Sequence, residues 1–211
     1  MIPTSDGQAD SRSGTPPPGY QLRLLQPNAL ADYKRLRDTM LSRHEEAFTS
    51  DAATELKRPI ESYASRLCQG DEGATLFTLV AYFGREMVGA ITCEREPRQK
   101  VRHIAHIVGM MVSDKAQGRG VGRALLSQAL NLLRGELGLE LVTLSVTSDN
   151  LAAVRLYEAC GFSRYGHLPR AIRLPNGALL DKDLMVLTLH TPATQLLPES
   201  HAQPKRSQGQ A

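Results

Sequence analysis

The chain has 211 residues, 41% of them hydrophobic, with 25 basic and 22 acidic side chains for a formal net charge of +3. That composition suits one ordinary globular domain with a sizeable core, and so small a charge excess argues against nucleic acid as a partner. The three cysteines, Cys68, Cys93 and Cys160, form no CxxC or Cys/His cluster, which disfavours zinc and disulfide frameworks, and no apolar run reaches the ~20 residues of a membrane span.

Residues 1–18, MIPTSDGQADSRSGTPPP, and residues 191–211 offer little to bury. Both are expected to be disordered tails around a domain spanning 19–190. The N-terminal stretch lacks the apolar core of a signal peptide, so a cytoplasmic location is expected. From Tyr20, YQLRLLQP alternates like a strand. Next, ALADYKRLRDTMLSRHEEAF places Leu30, Tyr33, Leu36, Met40 and Leu41 at helical spacing. RPIESYASRL carries Pro59 where a second helix would begin. ATLFTLVAYFGREMVGAITCERE reads as a hairpin about Gly84-Arg85-Glu86, and HIAHIVGMMVS as a further strand. An amphipathic helix, RGVGRALLSQALNLLRGELG, leads to the strand LELVTLSVT and the helix DNLAAVRLYEACG, stopped by Gly161. Two strands about PNGA close the chain. The order β-α-α-β-β-β-α-β-α-β-β predicts a mixed α/β sheet.

Gly118, Gly120 and Gly122 stand at alternate positions between the strand ending at Val112 and the following helix. Glycine costs backbone entropy, so the bare backbone needs a reason. A helix N-terminus offers unpaired N–H groups and the positive end of the macrodipole, and glycines let an anion approach them. A phosphate is therefore the expected occupant. A P-loop would need Lys-Ser/Thr after its last glycine, whereas Arg123-Ala124 follows; a dinucleotide fingerprint would need GxGxxG, whereas the spacing is GxGxG.

The arrangement Gln-x-x-Gly-x-Gly at Gln117, Gly120 and Gly122 resembles the coenzyme A loop of the GNAT superfamily of acyl-CoA-dependent N-acetyltransferases. NLAAVRLYEACGF matches a second signature of that superfamily at Asn150, Ala153, Leu156, Tyr157, Gly161 and Phe162. The resemblance spans roughly residues 19–190. It implies a mostly antiparallel twisted sheet with a β-α-β-α cofactor-binding half and helices on both faces. It also implies acetyl-CoA as co-substrate and an amine-bearing acceptor. The cofactor would lie against Met110, Met111 and Val112, whose backbone would pair with the pantetheine arm. Its pyrophosphate would meet Gln117, Gly118, Arg119, Gly120, Val121, Gly122 and Arg123, and Asn150 would contact it as well. Tyr157 would protonate the departing thiolate. Asn150 and Tyr157, seven residues apart, project from one helix face, a spacing that a plain core tyrosine would share. Gly109 inside its strand reads as a bulge or a close packing contact.

Acetyl transfer needs a neutral amine, hence a proton acceptor. His106, eleven residues before Gln117, holds the position where the histone-acetylating branch carries glutamate. It reads either as the general base or as a hydrogen-bonded strand histidine. His103 is the second candidate, on the opposite strand face from His106. Cys160 at a helix C-terminus is not expected to act as a nucleophile. No metal is called for. The expected function is transfer of an acetyl group from acetyl-CoA to a primary amine, of a small molecule or a protein. The alternative is a catalytically impaired acyl-CoA-binding sensor. The superfamily's common dimer is a further assembly that the resemblance offers; the acceptor's identity is not legible.

Overall fold

The computed structural model describes residues 15–68 and 75–189. Residues 1–14 of the expected N-terminal tail and all of the expected C-terminal tail, 191–211, lie outside the described residues. Seven strands form one sheet: β1 (Tyr20–Leu24), β2 (Thr75–Phe83), β3 (Glu86–Arg95), β4 (Ile104–Val112), β5 (Leu141–Thr147), β6 (Ser163–Arg173) and β7 (Leu179–Thr188). Their spatial order is β1-β2-β3-β4-β5-β7-β6. Every neighbouring pair is antiparallel except β4 and β5. Helices α1 (Leu30–Arg43), α2 (Ala52–Leu56), α3 (Val121–Gly135) and α4 (Leu151–Ala159) complete the α/β architecture.

The β2–β3 hairpin closes at Phe83↔Glu86, and Gly84 supplies the positive φ of 60° that a tight two-residue turn asks for. Both sheet faces are covered, so β2 and β3 read as unbroken apolar runs rather than alternating ones. On one face, α3 lays Val121, Leu125, Leu126, Ala129 and Leu133 against Phe77, Leu79 and Ile91. Seating is tight: a Cβ added at Gly89 would meet Leu125 Cδ1 at 3.0 Å. On the other face, Tyr33, Leu36 and Met40 of α1 pack with Val80, Ala90 and Met111.

Two elements depart from the sequence expectation. Helix α2 was not anticipated; Asp51 caps it by accepting from the Thr54 N–H at 2.7 Å. The segment begun by Pro59 is a 3₁₀ helix over Ile60–Arg66. Its Tyr63 turns inward, where the hydroxyl donates to Glu55 Oε2 at 2.9 Å, so a tertiary contact sets the short element's path.

The feature that positions the site is the parting of β4 from β5. They pair only at Ile104↔Leu141, Ala105↔Val142 and His106↔Thr143. Beyond that point Gly109 takes a φ of 63°, and the β3–β4 register jumps between Thr92↔Val108 and Ala90↔Met111. A bulge of this kind bends the strand, as the isolated glycine suggests, and leaves the β5-facing edge of Met110–Val112 without a strand partner. Among the described residues no helix is long and apolar enough to cross a membrane.

Candidate active site

The parted strands open a cavity of about 840 Å³ that passes between the two helical faces. The glycine loop lines one side of it, and two of its three glycines answer to a backbone demand. Gly118 and Gly120 sit at φ of 70° and 81°, where side chains are strained. Gly122 has no such backbone demand, and a Cβ there would make ordinary contact, 3.4 Å from both Leu156 Cδ2 and Met110 Cε. Gly120 is the N-cap of α3 and has no side chain to satisfy the helix's first N–H groups. Those donors, with the positive helix end, are the kind of surface an anion can bind. Gln117 turns its amide back to the chain, donating to Val112 O at 3.1 Å and Asp114 Oδ1 at 3.3 Å, and so pins the loop.

Most of the sequence-nominated residues meet at this cavity. Met110, Met111 and Val112 line it from β4; Gln117, Gly118, Gly120, Gly122 and Arg123 line it from the loop. Asn150 and Tyr157 line it from α4. Arg119 and Val121 do not; Val121 is 1% exposed and packs into the core, which leaves its backbone as the only part able to meet a ligand.

Asn150 caps α4, its Oδ1 accepting from Ala153 N–H at 3.1 Å, which leaves its NH₂ as the group able to donate to a ligand. Tyr157 is 7% exposed, packs edge-on to Phe162, and lies with its hydroxyl 3.5 Å from Met110 Sδ. Burial, with a smaller contribution from Cys160, pushes this phenol up to about 12. Burial likewise pushes the Cys160 thiol up, away from a reactive thiolate.

His106 is not on the cavity wall. Its Nδ1 lies 2.6 Å from Thr143 Oγ1, and its Nε2 lies 3.2 Å from Glu96 Oε1. The reason is its position: His106↔Thr143 is the last β4–β5 pair before the bulge, so both ring nitrogens are taken up where the sheet is still closed. His103 precedes β4, and its carbonyl accepts from Glu140 and Leu141 N–H groups.

Sequence reasoning missed the segment after α1. A 3₁₀ turn, Glu45–Ala47, crosses the parted strands as a strap. At one end His44 Nε2 lies 2.6 Å from Asp114 Oδ1, while Arg43 donates to Asp114 Oδ2 at 2.8 Å. At the other, Thr147 Oγ1 donates to Glu46 O at 2.8 Å. Arg43, then His44, hold the Asp114 carboxyl below the ordinary carboxylate range. His44, Glu46 and Phe48 thereby wall the cavity. In the sequence, RHEEAF only continues a helical pattern, and nothing local says that it spans a gap.

The model of the acetyltransferase (GNAT) family matches residues 36–162. The N-alpha-acetyltransferase RimI of Mycobacterium tuberculosis is 38% identical over 97 residues, which is 46% of this chain and 53% of that protein. The chain thus spans about half the length of this curated relative. A GNAT-family acetyltransferase from Streptococcus pneumoniae has a similar structure, with a TM-score of 0.69 at 22% identity over 81% of this chain and 99% of its own. The Salmonella typhimurium protein yncA, solved with its cofactor acetyl-CoA, matches with a TM-score of 0.66 at 21% identity, covering 89% of this chain and 99% of that one. These structural likenesses show the fold.

Proposed function

The chain belongs to the GNAT acetyltransferase family, and from that membership we propose that it transfers the acetyl group of acetyl-CoA to an amine, within a domain spanning 19–190. The observation that carries the reading is the cavity itself. It joins an uncapped, glycine-opened helix N-terminus, an unpaired strand edge at Met110–Val112 and a buried phenol, three features that suit one elongated anionic thioester.

Acetyl-CoA supplies an acetyl group activated as a thioester. Backbone N–H groups from Gly118 to Arg123 hold the pyrophosphate, and Arg123 adds a cation. The free edge of β4 receives the amides of the pantetheine arm as a neighbouring strand would, and its N–H groups polarise the reacting carbonyl. Asn150 donates from its NH₂. Tyr157 protonates the leaving sulfur. A phenol at about 12 is a weak acid, but a thiolate formed in the same cavity loses solvent too. Burial therefore acts on both groups in the same direction, raising the proton affinity of the thiolate as well as that of the phenol.

Calorimetric titration of acetyl-CoA into wild type and Gly120→Glu tests this reading. Wild type binds; the variant, strained at φ 81° and carrying a carboxylate at the phosphate site, binds at least about tenfold more weakly. Circular dichroism confirms that the variant is folded. Binding by the wild type without thiol release for any amine supports the sensor reading instead, and absence of wild-type binding removes both.

A further inference from the structure

The acceptor nitrogen must lose a proton, and His106, with both ring nitrogens engaged below the bulge, does not reach the cavity. The strap does. We propose that His44 Nδ1 and Glu46 Oε1 form the ammonium-receiving pair of this site, Glu46 holding the acceptor's ammonium and His44 taking its proton. This rests on the acetyl-transfer reading above.

Three observations converge. The first is the tautomer of His44. Asp114 Oδ1, 2.6 Å from Nε2, belongs to a carboxylate that can only accept, so Nε2 carries a proton and Nδ1 of the neutral ring is an acceptor. Arg43, on the other oxygen of Asp114, keeps that carboxylate ionised and in place.

The second is a spacing. Nδ1 and Glu46 Oε1 are 3.8 Å apart, too far to bond each other and right for one nitrogen to donate to both at about 2.8 Å. Both residues line the cavity, and backbone bonds hold the segment that carries them. His44 N–H donates to Met40 O at 2.9 Å, and Glu46 O accepts from Thr147 at 2.8 Å.

The third is the side of the sheet. Tyr157 packs in the core cluster under α3 and α4, whereas Met40, one turn before His44, packs in the cluster under α1. The cavity joins the two faces. Acid and base therefore stand on opposite sides of the gap, so that an amine entering beneath the strap reaches the carbonyl from one sheet face while Tyr157 reaches the sulfur from the other. The charged groups about this end are Glu46 on the strap and Asp149 after β5, which line the cavity, and behind them Arg43 at the end of α1, Asp114 before α3, and Lys182 of β7, which reaches Thr49 at 2.6 Å.

An ammonium proton moves to His44 Nδ1 and thence to solvent. The neutral nitrogen bonds to the acetyl carbonyl carbon, and the carbon–sulfur bond breaks. Sulfur takes the Tyr157 proton, and the nitrogen's second proton restores the phenol through solvent. Ammonium and thioester become amide, thiol and one released proton.

Two probes, alaninamide and spermidine, test the assignment in full-length wild type, His44→Gln and Glu46→Gln. In the protein saturated with coenzyme A, NMR follows the carbon-bound ring protons of His44. At least one probe is expected to move them, with a Kd raised about fivefold or more in Glu46→Gln. With acetyl-CoA, His44→Gln is expected to lower kcat/KM about 100-fold near neutral pH. That deficit shrinks as pH rises and the amine arrives already neutral, while calorimetric affinity for acetyl-CoA stays within twofold. Ring signals that neither probe moves, or a kcat/KM deficit that is absent or constant with pH, overturn the proposal. Loss of acetyl-CoA affinity in His44→Gln also overturns it and makes the ring a cofactor contact. Failure of the wild type to bind acetyl-CoA overturns the parent reading instead.

Discussion

In the proposed reaction Tyr157 would serve both packing and chemistry. Its ring fills the core edge-on to Phe162, and its hydroxyl opens onto the cavity beside Met110. Tyr157→Phe keeps the packing and removes the transferable proton. It is expected to lower kcat by about 10²–10³-fold while leaving acetyl-CoA affinity within twofold, as read by steady-state kinetics and calorimetry. His106 makes the opposite case. It ties β4 to Thr143 and Glu96, so His106→Ala is expected to cost about 1 kcal/mol of stability in urea unfolding, as lost hydrogen bonds do. Some of these roles were legible in the sequence. Gly118 and Gly120 announce backbone demands by residue type, and Asn150 and Tyr157 share a face by helical arithmetic. The environment of His106 was not legible, because it depends on which strand lies beside β4. His44 was hidden for the same reason: its partner Asp114 is 70 residues away.

At the scale of elements, the helical half beside β1–β3 is held by a buried polar cluster. Arg37 of α1, 5% exposed, donates to Glu55 Oε2 of α2 at 2.8 Å and to Ser50 Oγ at 2.8 Å; Arg58 and Tyr63 complete the shell of Glu55. Burial alone would raise the Glu55 carboxyl, but hydrogen bonds from Arg37, Arg58 and Tyr63 outweigh it and hold the group at about 2. The unfolded chain binds this proton near 4.5. The folded state is therefore favoured above pH 4.5, and that contribution is lost as pH falls through about 2. The shift corresponds to roughly 3 kcal/mol. Glu55→Gln is expected to destabilise the protein by about 2–4 kcal/mol at neutral pH, since it leaves the Arg37 charge buried and unpaired. It should also flatten the acid side of the stability profile, read by urea titration from pH 3 to 7. A profile as steep as the wild type's would show that other carboxylates dominate. The apolar stripe of α1 was legible from its spacing, yet Arg37 lies within that stripe and Glu55 sits on a helix too short to show a period. Buried charge reads as surface until its partner is known.

Across the whole molecule, the sheet divides into β1–β4 and β5–β7, joined edge to edge through three parallel pairs, by the strap and by α3 packed beneath. The cavity lies along that seam, so anything filling it contacts both halves at once: Met110–Val112 and the glycine loop from one side, Asn150 and Tyr157 from the other. A ligand that pairs with the free β4 edge replaces the missing strand contacts and restrains the bulge at Gly109. Acetyl-CoA at about 100 times its Kd adds roughly 2.7 kcal/mol by mass action. For a chain of this size that is a rise in melting temperature of about 5–10 °C. Any saturating ligand would produce the rise, so the informative readout is where protection appears. Hydrogen exchange is expected to slow at Met110–Val112 and at the first N–H groups of α3, with little change in β2 and β3, whose amides are already paired within the sheet. Protection confined to the α3 end would place the ligand on the phosphate loop alone and remove the strand-like role of β4. The sequence marks this place in one residue, Gly109, which reads as a bulge or a close contact within a mostly apolar strand; the structure shows the bulge. The width of the gap and the strap across it follow from the three-pair limit of β4 with β5, a tertiary fact with no local signature.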